Sequence, residues 1–137
     1  MQRGYRQLDH TADLALALWG PSEEELLVAG AEAVIDVMTE GAPPGAATVE
    51  RTIELDAVDG ADRLVQWLNE IIVAAVTDGF LARAAEIRLE GDSGLRARVL
   101  GEPGRILAEL KSATYHELEL ERDEAGEGWR AQVVIDV

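Results

Sequence analysis

Hydrophobic and polar residues alternate with a period of two in about seven short stretches of the chain, and this spacing predicts β-strands. The predicted strands are Tyr5–Leu8, Leu14–Trp19, Thr48–Leu55, Ala84–Glu90, Leu95–Leu100, Thr114–Glu121 and Trp129–Ile135. The sequence GDSG between the fourth and fifth of them is typical of a hairpin turn. We therefore expect a sheet that is largely antiparallel.

Two other stretches repeat apolar residues at helical spacing. The first opens at Ser22, which with Glu25 predicts a capping box, and it should end near Thr39. The second follows the turn at Asp59–Gly60, and Gly79 supplies its C-terminal stop. Together the elements predict an α+β fold, with two helices packed on one face of a largely antiparallel, roughly seven-stranded sheet.

Composition narrows the classes of function. A chain of 137 residues that is 47% hydrophobic can bury a proper core, and we expect a single domain over residues 1–137. Without cysteine, disulfides, thiolate metal sites and cysteine nucleophiles are excluded. The chain shows neither a signal-peptide core nor an apolar run near the roughly 20 residues of a membrane span, so we expect a cytoplasmic protein that does not bind membranes.

Charge is the strongest global signal. The chain has 27 acidic and 12 basic residues, a net charge of −15. Such a surface repels phosphates, so direct binding of nucleic acid is not expected. A basic protein partner or bound divalent cations fit better, although an acidic surface can also serve solubility alone.

Carboxylates stand at the ends of two predicted strands. Asp13 directly precedes Leu14–Trp19, and Asp136 directly follows Trp129–Ile135. If these strands pair antiparallel, Asp136 lies close to Asp13. Together with main-chain carbonyls and a terminal carboxylate at Val137, they form an all-oxygen cluster suited to Ca²⁺ or Mg²⁺.

Blander interpretations of the polar residues stay open. Asp9 and Asp13 are also consistent with turn capping through side-chain to backbone hydrogen bonds. His10 and His116 are more often satisfied polar residues than metal ligands, and with no cysteine a zinc site is disfavoured. The sequence shows no nucleophile beside a base and no loop that would cradle phosphate. Lys111 and Tyr115 are further polar residues to which spacing alone assigns no role.

Several motifs, in this order and spacing, resemble those of the archease family. They are DHTAD (9–13), IDVMTE (35–40), LVQWLNEII (64–72), GEP (101–103), KSATYH (111–116) and the closing W…VVIDV. The resemblance covers nearly the whole chain. One departure is the stretch between GEP and Lys111, which is shorter than in typical members.

The resemblance implies an accessory protein that is not itself an enzyme. Archeases assist RtcB-type RNA ligases, which seal tRNA halves and other RNAs during splicing or repair. They promote guanylylation of a ligase histidine and thereby allow multiple turnover. The fold implied by the resemblance is similar to the one predicted above.

The resemblance also implies a site. A divalent cation, Ca²⁺ in the first place with Mg²⁺ or Mn²⁺ as alternatives, would be held by Asp13, Asp136 and Val137. Lys111 would contact the partner or its nucleotide. The further functional contacts that we expect are Asp9, His10 and His116.

Two other classes of function remain as alternatives. One is a general chaperone, or modulator of protein or protein–nucleic-acid complexes, in which an uncovered sheet face holds clients. The other is a small metal-dependent hydrolase that uses Asp13, Asp136 and a histidine, against which the missing base–nucleophile pair counts. A chaperone would suppress aggregation broadly, whereas an activator would serve one client. The oligomeric state is not predictable from the sequence.

Overall fold

The computed structural model describes residues 1–8, 13–123 and 127–137. Within these ranges it contains eight strands and two helices. In chain order they are β1 (Gly4–Leu8), β2 (Leu14–Gly20), α1 (Glu23–Met38), β3 (Val49–Asp56), α2 (Gly60–Asp78), β4 (Phe80–Glu90), β5 (Gly94–Pro103), β6 (Ser112–Ala113), β7 (Glu119–Arg122) and β8 (Trp129–Asp136). The predicted α+β class is confirmed.

The strands form two antiparallel sheets rather than the single sheet predicted. In the five-stranded sheet the order is β1-β2-β8, and both β6 and β7 pair with the remaining edge of β8. The three-stranded sheet has the order β3-β5-β4. Both helices contact strands of both sheets. Nine of the 16 residues of α1 are buried, so its apolar surface is wider than the stripe that packing against a single sheet requires.

One strand prediction is wrong over its first half. The predicted strand Thr114–Glu121 is replaced by β6 and β7, with residues 114–118 between them. Thr114 still bonds to β8, since its backbone N–H and its hydroxyl both donate to the Val134 carbonyl at 2.9 Å. Glu117 then has a φ of 51°, a left-handed conformation that a strand cannot contain. The chain therefore leaves the sheet before β7 begins.

The helix boundaries follow the predicted signals. Ser22 Oγ accepts a hydrogen bond from the Glu25 N–H at 3.1 Å, which is one half of the predicted capping box. The other half is replaced, because the Glu25 carboxylate pairs with Arg3 at 2.6 Å. The predicted turn at Asp59–Gly60 is itself the start of α2, because the Asp59 side chain caps the helix. Gly79 ends α2 with a φ of 63°, which glycine adopts without strain.

The two helices pack closely against each other. A Cβ at Gly30 of α1 would lie 2.9 Å from Leu68 Cδ2 of α2, so a larger residue there would have to displace the end of the Leu68 side chain. Trp67 of α2 is fully buried, and its indole N–H donates to the Leu27 carbonyl at 2.7 Å. No described helix is long and apolar enough to cross a membrane.

A buried arginine joins the helix starts to the three-stranded sheet. Arg63 of α2 is 3% exposed and pairs with Glu23 of α1, with Nη2 2.6 Å from Oε2. Its Nη1 donates to the carbonyl of Gly91 in the β4–β5 turn and to that of Gly94, the first residue of β5. One side chain therefore holds three elements together.

Ion pairs cover the face of the three-stranded sheet that points away from the helices. Arg96 lies 3.3 Å from Glu54, and Arg98 lies 2.5 Å from Glu50 and 3.6 Å from Glu86. These side chains are about half exposed or more. This outer face is therefore a charged, solvent-exposed surface.

Candidate functional site

The first half of the candidate site lies where β2 begins and β8 ends. The predicted antiparallel pairing of these strands is confirmed, and its last pair is Leu14 opposite Ile135. The next position on each strand is Asp13 and Asp136, which places the two residues across from each other. If the antiparallel register continued for one more pair, the Cα atoms of Asp13 and Asp136 would be about 4.5–5.5 Å apart. Leu14 and Ile135 are buried directly behind them.

The second half lies on the opposite edge of β8. There β6 pairs Ser112 with Asp136 and Ala113 with Ile135. The backbone N–H of Lys111 donates to the Asp136 carbonyl at 2.8 Å. Asp136 thus lies between Asp13 on one side and Lys111 on the other, so three of the predicted site residues come together at one end of the sheet.

The charged side chains at this end form no ion pairs within the described part of the chain. Among the described residues, neither the Asp13 nor the Asp136 carboxylate forms an ion pair, and Lys111 forms none through its side chain. Asp136 and Lys111 are exposed and Asp13 is half-buried. Two adjacent carboxylates in a protein with a charge of −15 create a negative potential that attracts cations.

The donor set fits a hard cation. Ca²⁺ and Mg²⁺ take carboxylate, carbonyl and water oxygens, which Asp13, Asp136 and the Val137 main chain can supply in part. No group of three or more His, Cys, Asp or Glu side chains is placed to hold a metal in the described part of the chain. The protein would therefore give two carboxylates, with main-chain oxygens and water completing the shell. The metal and its ligands stay a prediction.

Asn69 is a site-supporting residue that the sequence analysis missed. Its Oδ1 accepts from the Ala113 N–H at 2.7 Å, and its Nδ2 donates to the Ala113 carbonyl at 3.3 Å. This amide side chain bonds to β6 as a neighbouring strand would, and so fixes the segment that begins with Lys111. The sequence feature that could have identified Asn69 is an amide side chain placed among the buried apolar residues of α2, such as Leu68 and Ile72.

Residues 114–118 are tied to the start of α2. The Tyr115 hydroxyl donates to the Asp62 carboxylate, and this bond lowers the pKa of Asp62 and raises the pKa of Tyr115. His116 is exposed, and its Nε2 lies 3.2 Å from a Glu117 carboxylate oxygen. The structure thus pairs His116 with its sequence neighbour. Two further predicted contacts, Asp9 and His10, lie outside the described residues.

The fold and the strand-end carboxylates define a small α+β protein with a candidate cation site. The profile of the Archease protein family (MTH1598/TM1083) matches residues 5–137. The chain is 32% identical over 143 residues to the protein archease of Methanopyrus kandleri, covering 97% of this chain and 99% of that relative. For the protein archease of Methanosarcina mazei the identity is 34% over 142 residues, covering 97% and 95%. The chain belongs to the archease family.

Two solved structures have the same fold. The solution structure of Methanobacterium thermoautotrophicum protein 1598 gives a TM-score of 0.76 at 28% identity, covering 98% of this chain and 99% of that one. The crystal structure of a Thermotoga maritima archease, titled a possible chaperone, gives 0.60 at 26% identity and covers 96% of each chain. The resemblance drawn from the sequence motifs is confirmed.

Proposed function

We propose that this protein is a non-catalytic accessory protein of an RtcB-type RNA ligase, and that it promotes guanylylation and multiple turnover of the ligase in tRNA splicing or RNA repair. Membership in the archease family supports this function. The observation that carries it is the convergence of Asp13, Asp136 and Lys111 at one end of the five-stranded sheet.

The three residues have complementary roles in this proposal. Asp13 and Asp136, with an oxygen of Val137, bind a divalent cation, Ca²⁺ in the first place. A cation held there would supply positive charge toward the phosphates of the guanylate donor. Lys111 presents its ammonium group beside the carboxylates and orients a phosphate as a point charge. The backbone bond between Lys111 and Asp136 keeps this spacing fixed.

The acidic surface determines which component of the reaction is contacted. With a net charge of −15 the protein repels an RNA backbone. A ligase that binds RNA needs basic surfaces, and these attract an acidic partner. The proposal therefore places the contact on the ligase, with negligible RNA binding by the accessory protein alone.

A chaperone function is the second candidate, because one structural relative is titled a possible chaperone. A holdase needs an apolar surface for its clients. The ion-paired outer face of the three-stranded sheet does not offer one. Suppression of aggregation in several unrelated clients would favour this candidate over the activator.

The direct experiment measures transfer of labelled guanylate from GTP to an RtcB-type ligase, with and without substoichiometric amounts of this protein. We expect faster labelling and conversion of a single-turnover sealing reaction into multiple turnover. Lys111→Ala should abolish the stimulation while the free energy of unfolding changes by less than about 0.5 kcal/mol. Arg122→Ala is the matched control, since Arg122 is an exposed cation near the other end of β8. Equal labelling rates with and without wild-type protein would refute the proposal.

A further inference from the structure

One face of α2 changes character along its length. Asp62, Gln66, Asn69, Val73 and Val76 follow each other at spacings of four, three, four and three residues, so they form one stripe along the helix. The first three are polar, and Asp62 and Asn69 bond to the segment that contains Tyr115 and Ala113. The last two are apolar.

The fold leaves the side chains of Val73 and Val76 exposed to solvent rather than packing them into the core. Val73 is 54% exposed and Val76 is 40% exposed, while the opposite face of α2 is buried. Valine is also a poorer helix former than alanine or the long polar residues, because its χ1 is restricted in a helix. We call Val73 and Val76 together the valine patch.

The valine patch adjoins the candidate site. Asn69, which holds β6, lies one helical turn before Val73, about 6 Å along the axis. The segment from Gly104 to Lys111 starts at the C-terminal end of α2, where the Gly104 N–H donates to the Gly79 carbonyl at 2.9 Å, and it ends at Asp136. Both ends of this segment therefore lie near the turns of α2 that carry the valines. Leu107 within it is 63% exposed.

The charges around the valine patch indicate the kind of partner. Glu70 lies on the exposed side of the same helix turns, and Asp78 beyond Val76 is already paired with Arg51 at 2.9 Å, so Glu70 is the carboxylate beside the patch that this pair does not neutralise. A second copy of this chain would bring two charges of −15 together, which opposes self-association. A partner that offers an apolar side chain surrounded by basic residues is complementary, and the RNA-contacting surface of a ligase has the required basic character.

We infer that the valine patch is the docking anchor for the RNA ligase, and that it holds the ligase while Asp13, Asp136 and Lys111 act on the guanylylation step. This inference rests on the proposed function. It separates binding from stimulation, since the patch provides affinity and the charged site provides the effect. A few well-packed apolar side chains commonly dominate the affinity of an interface.

The test uses the double variant Val73→Ala/Val76→Ala in the full chain. Alanine raises helix propensity, so α2 is retained while most of the apolar surface is removed. We expect the dissociation constant for an RtcB-type ligase, measured by surface plasmon resonance, to rise at least about tenfold. Val58→Ala, which changes a valine that is 84% exposed ahead of α2, should bind like wild type.

Stimulation of guanylylation distinguishes the two roles. The double variant should stimulate weakly at low concentration and recover at saturating concentration, whereas Lys111→Ala should bind normally and not recover. Wild-type affinity in the double variant overturns the anchor while leaving the proposed function intact. A wild-type protein that neither binds nor stimulates the ligase overturns both. Concentration-dependent dimers of the wild type that disappear in the double variant would assign the patch to a second copy instead.

Discussion

The three-stranded sheet and the five-stranded sheet differ in how their outermost strands are held. In the three-stranded sheet, β3, β4 and β5 are eight to 11 residues long and pair along nearly their whole length. In the five-stranded sheet, one edge of β8 is covered by a strand of two residues and one of four. The side chain of Asn69 supplies hydrogen bonds to the short strand that a neighbouring strand would otherwise give.

The two sheets also differ in whether their acidic side chains have ion-pair partners. On the three-stranded sheet, Glu50, Glu54 and Glu86 each have an arginine partner. At the end of the five-stranded sheet, Asp13 and Asp136 have no ion-pair partner among the described residues. Regular pairing with balanced charge supports the fold alone, whereas an interrupted edge with unbalanced charge leaves groups available for a ligand. The candidate site therefore belongs to the less regular sheet.

The largest expected effect is on cation binding. Asp13→Asn removes one of the two unbalanced carboxylates, and we expect the affinity for Ca²⁺ or Mg²⁺ to fall at least about 100-fold, since even residues that only orient metal ligands contribute about 10–100-fold. Without cation, the variant should be as stable as wild type or more so, because like charges on facing strands repel. Isothermal calorimetry and denaturation in chelator measure the two quantities.

A balanced carboxylate provides the control for this comparison. Glu54→Gln removes a negative charge that Arg96 already neutralises. It should leave cation affinity unchanged. Equal losses in Asp13→Asn and Glu54→Gln would mean that net charge, not the strand-end pair, attracts the cation.

The next largest effect concerns the interrupted edge. Asn69→Ala leaves the N–H and carbonyl of Ala113 without their partners, which should lower the free energy of unfolding by about 1–3 kcal/mol. Stimulation of the ligase should also fall, because Lys111 directly precedes β6 and is positioned by it. Urea denaturation measures the first effect, and amide exchange at Ala113 should accelerate.

Gln66→Ala is the matched variant on the same helix face. Within the described ranges the Gln66 side chain donates to Asp62 alone, so its loss should cost less than the loss of Asn69. If the two variants were equally stable, the side chain of Asn69 would not be what holds β6.

The sequence predicted the regular parts of the molecule and failed at the interrupted edge. The alternation in Thr48–Leu55 and Trp129–Ile135 became β3 and β8 almost unchanged, because period two directly reflects the two faces of a sheet. The antiparallel pairing of β2 with β8, which brings Asp13 to Asp136, also followed from the pattern.

The split of Thr114–Glu121 into β6 and β7 did not follow from the pattern. It depends on the left-handed Glu117 and on a bond between residues 44 positions apart, that of Asn69 with Ala113. The division into two sheets was likewise missed, since it depends on how much of each helix surface is covered. Such long-range side-chain contacts have no signature in local periodicity.

A smaller effect is expected on the balanced face of the three-stranded sheet. Arg96→Ala removes an ion pair in which both side chains are more than half exposed, so the free energy of unfolding should fall by about 0.2–1 kcal/mol at most. At about 1 M salt the difference should shrink, because the Debye length is only about 3 Å. Thermal denaturation at low and high salt tests this, and a larger, salt-independent loss would show that these pairs hold the sheet.

The smallest effect concerns the bond between Tyr115 and Asp62, which ties residues 114–118 to α2. Tyr115→Phe should raise the pKa of Asp62 toward its ordinary value of 3.8, although the Val58 N–H still donates to Asp62 at 3.0 Å and keeps part of the depression. NMR titration of the Asp62 carboxyl carbon measures this, with Tyr5→Phe as the control that leaves Asp62 untouched. An unchanged pKa would show that the hydroxyl does not bond to Asp62 in solution.

The contribution of the Tyr115–Asp62 hydrogen bond to stability should be lost at both low and high pH. Because folding lowers the pKa of Asp62, the bond's contribution to stability is present above pH 3.8 and is lost as the pH falls through the lowered value. Because folding raises the pKa of Tyr115 above 10.0, the contribution is fully present below pH 10.0 and is lost as the pH rises through the raised value. Wild type and Tyr115→Phe should therefore differ in stability between these limits and converge in acid. The difference should be small even at its maximum, because both groups are exposed, and a large one would mean that residues 114–118 support the fold as strongly as the paired strands do.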